Sequence, residues 1–573
     1  MNASPLPRRF FDANSTLPRK TILVLALFFL MISAALAQVI PPPGLVIGSA
    51  NTATADPPVA RPDTTPCEVT LFSNFTFADF SPKPFSFTPP SACPGPWAKV
   101  VLEADFSIQA GRQFDRTANI WIGGTNVYFG TTSEPSRTVA RSWHIERDLT
   151  DYGSLFRSPQ AGRVDLGNLV NSTFTSSLFG TATLQFYPEG KKARAPETAD
   201  MVLPLSGGPT GGSVDLGTTA DKLARTFTLP ANVERAYLDV IAQSQANDEF
   251  WYTCVPDDLT SELQSCGSTS FRETEVAIDG QPAGVAPVYP WIYTGGIDPL
   301  LWRPIPGVQT LNFAPYRVDL TPFAAVLSDG NPHEVALNVF NADQHFSTTA
   351  TLLVFQDHES AQITGAVTRN SIGAPAPEVT RNIAVNGNNI TGNVTVTSAR
   401  TFEVEGFVRT SHGRVRTRVE QTIHFTSSQD FNISDVLFDQ DIHQGTTISS
   451  KTSTRGGDGE KTVLLREDWP LHLDFQFVVN PDGSAAQTTT IDQAFNSSQA
   501  TSGDDGDSQF SVVSNRVTPV DTLIFNTDGS VTAGPGQASA QTYFSQDSKG
   551  NCFSRTIKAA GGVLTSVEEG CRK

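Results

Sequence analysis

The densest chemistry-bearing run in this sequence is Asn247-Asp248-Glu249-Phe250-Trp251-Tyr252. Adjacent carboxylates beside bulky aromatics can raise one carboxyl pKa by desolvation while a ring offers a face for a sugar to stack on. The same run also reads as a strand end, with solvated acids and core aromatics. A second candidate is Asp115 in G-R-Q-F-D-R, set immediately before the strand-like A-N-I-W-I. A carboxylate at a strand mouth can serve as a general base, or simply pair with Arg116. Glu134 in T-S-E-P and Glu273 in F-R-E-T are weaker, a loop acid and a strand acid. The run Y-T-G-G-I-D-P-L-L-W-R-P from Tyr293 to Pro304, with Asp298 and Trp302, either shapes a pocket or crosses the end of a sandwich.

Other chemistries drop out. There is no G-x-S-x-G elbow, H-E-x-x-H pair or Walker loop, which disfavours a serine hydrolase, a zincin and a nucleotide enzyme. The 8 histidines show no paired ligand spacing, so no metal or other cofactor is expected. The 6 cysteines fall as close pairs, Cys67 with Cys93, Cys254 with Cys266 and Cys552 with Cys571. Pairing in that order would leave no thiolate nucleophile.

The elements that must position these residues are strands. Gly and Pro are abundant (44 and 39 of 573 residues) and charged residues make up only 17%, against helical bundles. Lys99 to Ile108 and Asn119 to Phe129 are β-rich runs. Val415 to Phe425 and Leu471 to Phe477 alternate at period two, and Asn480-Pro-Asp-Gly483 is a turn. A net charge of −18 argues against a nucleic-acid partner, which needs a concentrated basic face.

Two segments read as copies of one unit. F-T-P-P at Phe87 matches F-T-L-P at Phe227, and K-V-V-L-E-A-D-F from Lys99 matches R-A-Y-L-D-V-I-A from Arg235. R-T-A-N-I-W-I-G-G from Arg116 matches R-E-T-E-V-A-I-D-G from Arg272, and Asp148-Leu-Thr matches Asp319-Leu-Thr. The second copy carries an insertion between Leu238 and Arg272 that holds N-D-E-F-W-Y and one cysteine pair. The expected layout is therefore all-β: a first β-sandwich over 67–190, a linker over 191–214, a second sandwich over 215–362 and a C-terminal β-rich region over 363–573.

At the N-terminus, Arg8, Arg9, Arg19 and Lys20 precede the apolar run Thr21 to Ala37, which ends in Ala-Leu-Ala. Residues 1–37 read as a signal peptide or an uncleaved signal anchor, either of which puts the main chain in the secretory pathway, secreted or membrane-anchored. Residues 38–66 read as an extended Pro-rich tether. Sequons at Asn74, Asn171, Asn389, Asn393, Asn432 and Asn496 agree with that compartment.

The motifs G-R-Q-F-D-R, T-S-E-P, V-D-L-G-N-L-V, N-D-E-F-W-Y and T-G-G-I-D-P-L-L-W-R-P together resemble the acid peptide:N-glycanases of plants and fungi, most strongly over Glu68 to His358. Phe114-Asp115-Arg116 with Ala118-Asn119 also resembles a segment of the bacterial F-type peptide:N-glycanase. The resemblance implies tandem jelly rolls, hydrolysis of the amide between asparagine and N-acetylglucosamine on glycosylated peptides or proteins, and Asp115 as the principal catalytic residue. The bacterial enzyme's glutamate before an F-R strand has no counterpart here, since Gly267-Ser268-Thr269-Ser270 precedes Phe271-Arg272. Glu249 or Asp248 is the substitute, with Arg116, Trp251, Arg272, Glu273, Asp298 and Trp302 expected to bind substrate. The rival reading is a non-catalytic glycan-binding or structural extracellular glycoprotein. Oligomeric state is not legible.

Overall fold

A computed structural model of the chain describes residues 44–571, apart from Phe114, Asp115, Asp458, Asp505 and Asp507. The apolar run expected to be a signal lies outside the described residues. Among those described, no helix is long and apolar enough to cross a membrane.

Period-two patterning has produced strands almost throughout. In the first sandwich, one sheet carries Cys67–Phe77, Leu178–Pro188, Trp97–Ile108 and Arg141–Asp148 in that spatial order. The facing sheet carries Lys83–Phe87, Gln160–Asp165, Thr117–Ile122 and Thr125–Thr131. Sequence neighbours therefore alternate between the sheets except at the hairpin Thr117–Ile122 and Thr125–Thr131, as in the double Greek key of a jelly roll. The β-rich run expected over Asn119 to Phe129 is two strands. Gly123 and Gly124 turn between them with φ of +56° and +82°, backbone that side chains with a Cβ rarely adopt. Phe106 stacks on Trp143 and Tyr128 inside this roll.

The second sandwich repeats the topology strand for strand. Val214–Thr218, Asp343–Gln356, Val233–Ser244 and Tyr316–Asp319 form one sheet; Leu223–Phe227, His333–Phe340, Glu273–Ile278 and Gln281–Pro287 form the other. All four sequence correspondences fall at equivalent places in the two rolls. Phe87 and Phe227 end the second strand, and Lys99 and Arg235 lie in the third. Arg116 and Arg272 precede the fourth, and Asp148 and Asp319 end the sixth. Met201–Pro204, inside the expected linker, pairs with Asp343–Gln356 instead of hanging free.

The C-terminal region is one 12-stranded antiparallel sheet. Its longest strand, Asn389–Thr410, has 22 residues, roughly 70 Å at about 3.3 Å per residue. Alternation in the neighbouring strands gives the sheet a buried face, with Ile423, Phe425, Ile442, Leu471 and Leu473, that shares one core with the second roll through Trp251, Phe271 and Phe313.

Residues 44–66 carry no strand until Cys67, as their prolines dictate, but they are not a free tether. Ala53 N–H donates to Pro304 O (3.0 Å), Ala55 N–H to Gln541 Oε1 (2.7 Å), and Arg61 pairs with Glu103 and Glu146. Backbone donors in a Pro-rich strand-less segment still need acceptors, and here the two rolls and the long sheet supply them. All six cysteines pair as their proximity suggests, Cys67–Cys93, Cys254–Cys266 and Cys552–Cys571.

Candidate functional site

Equivalent loops from the two rolls gather at one seam. The loop between the third and fourth strands is 109–116 in the first roll; its counterpart is the insertion 245–272 in the second. The loop between the fifth and sixth strands is 132–140 in the first roll and 288–315 in the second. A jelly roll opens both loops at the same end, so topology gathers the motifs of each roll, and packing of one roll on the other joins the 132–140 and 288–315 loops.

Contacts across the seam are specific. Thr131 N–H donates to Thr310 O (2.9 Å), Phe313 N–H to Phe129 O (2.8 Å) and the Tyr128 hydroxyl to Leu311 O (2.7 Å). The Thr294 hydroxyl donates to Thr132 O. Arg116 Nη1 donates to Gln113 Oε1 at 3.1 Å, and Gln113 Nε2 donates to the Glu134 carboxylate. Glu134 then meets Arg303 of the second roll, Nη2 to Oε1 at 3.5 Å. Gln113 and Arg116 are thus tied, through Glu134, to the second roll; Phe114 and Asp115 between them lie outside the described residues. Arg141, buried beside this pair, is pushed down to about 10 by loss of water and then by the Arg303 charge. The seam's cations are held close together in a partly dry setting.

Asp248 and Glu249 part company here. Asp248 stands on a single 3₁₀ turn, Ala246–Asp248, not on a strand. Its side chain and that of Arg272 are both 0% exposed and joined at 2.9 Å. Its Oδ2 also accepts the N–H of Asp343 (2.9 Å) and of His345 (3.0 Å). That carboxylate is sealed into the fold. Glu249, one residue on, is half-buried. Burial first pushes the Tyr252 and Tyr293 phenols above their ordinary range, and the Glu249 charge adds to this at both, so Glu249 stands near enough for its charge to reach them. Tyr293 adjoins Thr294, the residue bonded to Thr132, so the Glu249 end of the insertion and the Glu134 loop share one seam.

Most of the side chains expected to bind substrate are instead interior. Trp251 is 1% exposed and packs against Tyr252 and Phe425, so its ring has no free face. Trp302, 2% exposed, donates its indole N–H to Gly296 O at 3.0 Å. Arg272 is the partner of Asp248, and Arg272 Nη1 caps the carbonyls of Ser268 and Thr269. Glu273 is ion-paired with Arg400 of the long sheet, and burial raises its pKa to about 7. Asp298 is buried against Asp521 of the long sheet; loss of water raises both carboxyls. Arg116 keeps a place at the seam.

Residues that the sequence motifs contained but did not single out do meet there. Gln113 and Arg303 belong to G-R-Q-F-D-R and T-G-G-I-D-P-L-L-W-R-P. Acids and aromatics drew attention in those motifs, whereas the seam is built from an amide, an arginine and the weaker loop acid Glu134.

Two jelly rolls in tandem, with carboxylates, arginines and tyrosines collected on equivalent loops at their seam, define a double jelly-roll protein whose candidate site belongs to both rolls. The chain belongs to the peptide N-acetyl-β-D-glucosaminyl asparaginase amidase A family, whose pattern matches residues 56–371, both rolls and the seam. It is 28% identical over 468 residues to the peptide-N4-(N-acetyl-β-glucosaminyl)asparagine amidase A of Prunus dulcis, covering 76% of this chain and 79% of that one. Among solved structures, PNGase F, a glycosylasparaginase from Flavobacterium meningosepticum, aligns at 13% identity with a TM-score of 0.33, over 51% of this chain and 96% of that one. PNGF-II aligns at 12% identity with a TM-score of 0.35, over 51% and 65%.

Proposed function

We propose that this chain is an amidohydrolase that releases N-linked glycans from glycopeptides or glycoproteins. It cleaves the amide between an asparagine side chain and the innermost N-acetylglucosamine. The observation that carries this reading is the family pattern running unbroken through both rolls and the seam between them.

Water adds to the amide carbonyl, the C–N bond breaks, and the products are a peptide aspartate and a glycosylamine that later loses ammonia. The carbonyl needs a base for the water or a polarising group, and nitrogen leaves only when protonated. Asp115 takes the first role, carried from the resemblance of Phe114-Asp115-Arg116. Glu249 takes the second, supported by its half-exposed place at the seam, while Asp248 has its oxygens engaged by Arg272 and backbone amides. Glu134 and Arg303 brace the Asp115 loop against the second roll. Three disulfides and sequons at exposed Asn171, Asn389 and Asn432 support a secretory-pathway setting.

The test is a defined N-glycopeptide incubated with the full chain, followed by mass spectrometry of peptide and glycan. Released glycan with conversion of asparagine to aspartate supports the proposal. Glycan retained by the protein with no conversion would make it a binding module instead.

A further inference from the structure

The outer face of the long sheet carries a cluster that the seam does not use. Strands Leu437–Gly456 and Gly459–Val479 pair so that His443 lies directly opposite His472, and Asp441 directly opposite Asp474. The two imidazoles stack with centroids 4.2 Å apart and planes 7° from parallel. Both turn Nε2 toward the Asp441 carboxylate, His472 at 2.8 Å and His443 at 3.5 Å. One ligand atom from each of Asp441, His443 and His472 lies within 4.8 Å of the others. Asp439 and Asp474 add carboxylates on the same face, by strand alternation and register. Among the described residues, no lysine or arginine forms an ion pair with Asp439, Asp441 or Asp474. Carboxylates gathered on one sheet face without a counter-cation repel one another.

We propose that Asp441, His443 and His472 form a binding site for a divalent transition metal of the zinc class. The donor set decides the class. Two imidazoles and a carboxylate suit zinc-like ions, whereas calcium and magnesium prefer all-oxygen shells. Bonds of about 2.0–2.2 Å put tetrahedral neighbours about 3.4 Å apart, so closure needs shifts of about 1 Å in exposed side chains. Asp474 or water completes the shell.

Glu103, His144 and Glu146 also converge. There, Arg61 already pairs with both glutamates, and His144 bonds Asp105 and Glu146 through its two nitrogens. Arg61 is the difference: among the described residues, no lysine or arginine pairs with Asp441, whose carboxylate is met by the two imidazoles. The metal would staple two long strands on the solvent side, opposite the face where Ile442, Leu471 and Leu473 pack into the core. It stands apart from the seam.

Chelator-treated full-length protein titrated with zinc chloride in a calorimeter tests this. One zinc site per chain is expected, with affinity reduced about ten-fold or more in His472→Ala and in Asp441→Asn. His144→Ala should bind as the unaltered protein does. Circular dichroism checks folding of each variant, and zinc should raise Tm only where the site is intact. Absence of zinc binding, binding unchanged in both variants, or equal binding of calcium would each overturn the proposal.

Discussion

Replacing Asp248 by asparagine separates a structural carboxylate from a catalytic one. Asp248 Oδ1 accepts from Arg272 Nε and Oδ2 accepts from the amides of Asp343 and His345. Whichever way an asparagine amide is turned, its NH₂ faces a donor, and the Arg272 guanidinium stays buried without its counter-charge. Breaking one side of a fully buried pair costs about 3–5 kcal/mol. The second roll and the long sheet share one core, so each kcal/mol moves their common transition by about 1–2 °C, and Tm should drop on the order of 5 °C. Differential scanning calorimetry reads this, and glycopeptide turnover measured well below the lowered Tm should stay near normal for the folded protein. An unchanged Tm together with lost hydrolysis would refute the reasoning and return Asp248 to the reacting centre.

Asp115→Asn should lower turnover by about 10²–10⁴-fold while leaving Tm unchanged, and Glu249→Gln, which removes the proton donor, should lower turnover and alter the alkaline limb of the pH profile; near-normal rates for Asp115→Asn on a glycopeptide would sink the proposed chemistry. Burial raises Glu273 and Glu467 from 4.5 to about 7. The folded state therefore holds these protons more tightly, and the stability they contribute is full below about pH 4.5 and lost as pH rises through 7. His144, lifted from 6.5 to about 9 against burial by Asp105 and Glu146, continues the loss up to pH 9. Glu146 is held down to about 2 despite burial, by His144 and Arg61, so its contribution fades only as pH falls below about 4.5. Thermal scans should place maximal Tm near mildly acidic pH; a Tm that climbs from pH 5 to 8 would contradict this. With every cysteine in a disulfide, iodoacetamide without reductant should leave activity intact; strong inhibition would revive a thiol mechanism.

The repeat was legible in the sequence because strand patterning is local. Lys99 and Arg235, or Asp148 and Asp319, sit in the same short-range pattern of apolar alternation and turn residues, and that pattern alone sets which element forms. Cysteine pairing was legible too, since neighbours along the chain closed small loops. What the tertiary structure decided was every choice that depends on a partner far away. Asp248 and Glu249 are adjacent, and Arg272, 24 residues on, claims one and leaves the other at the seam. Trp251 looked like a sugar platform and Trp302 like a substrate contact, until the long sheet covered the first and the 293–304 loop enclosed the second. His443 and His472 share no ligand spacing; only the register of two strands more than 20 residues apart at these positions sets them face to face. Local sequence fixes which way a strand alternates, but burial of a charge or a ring depends on what topology lays across it.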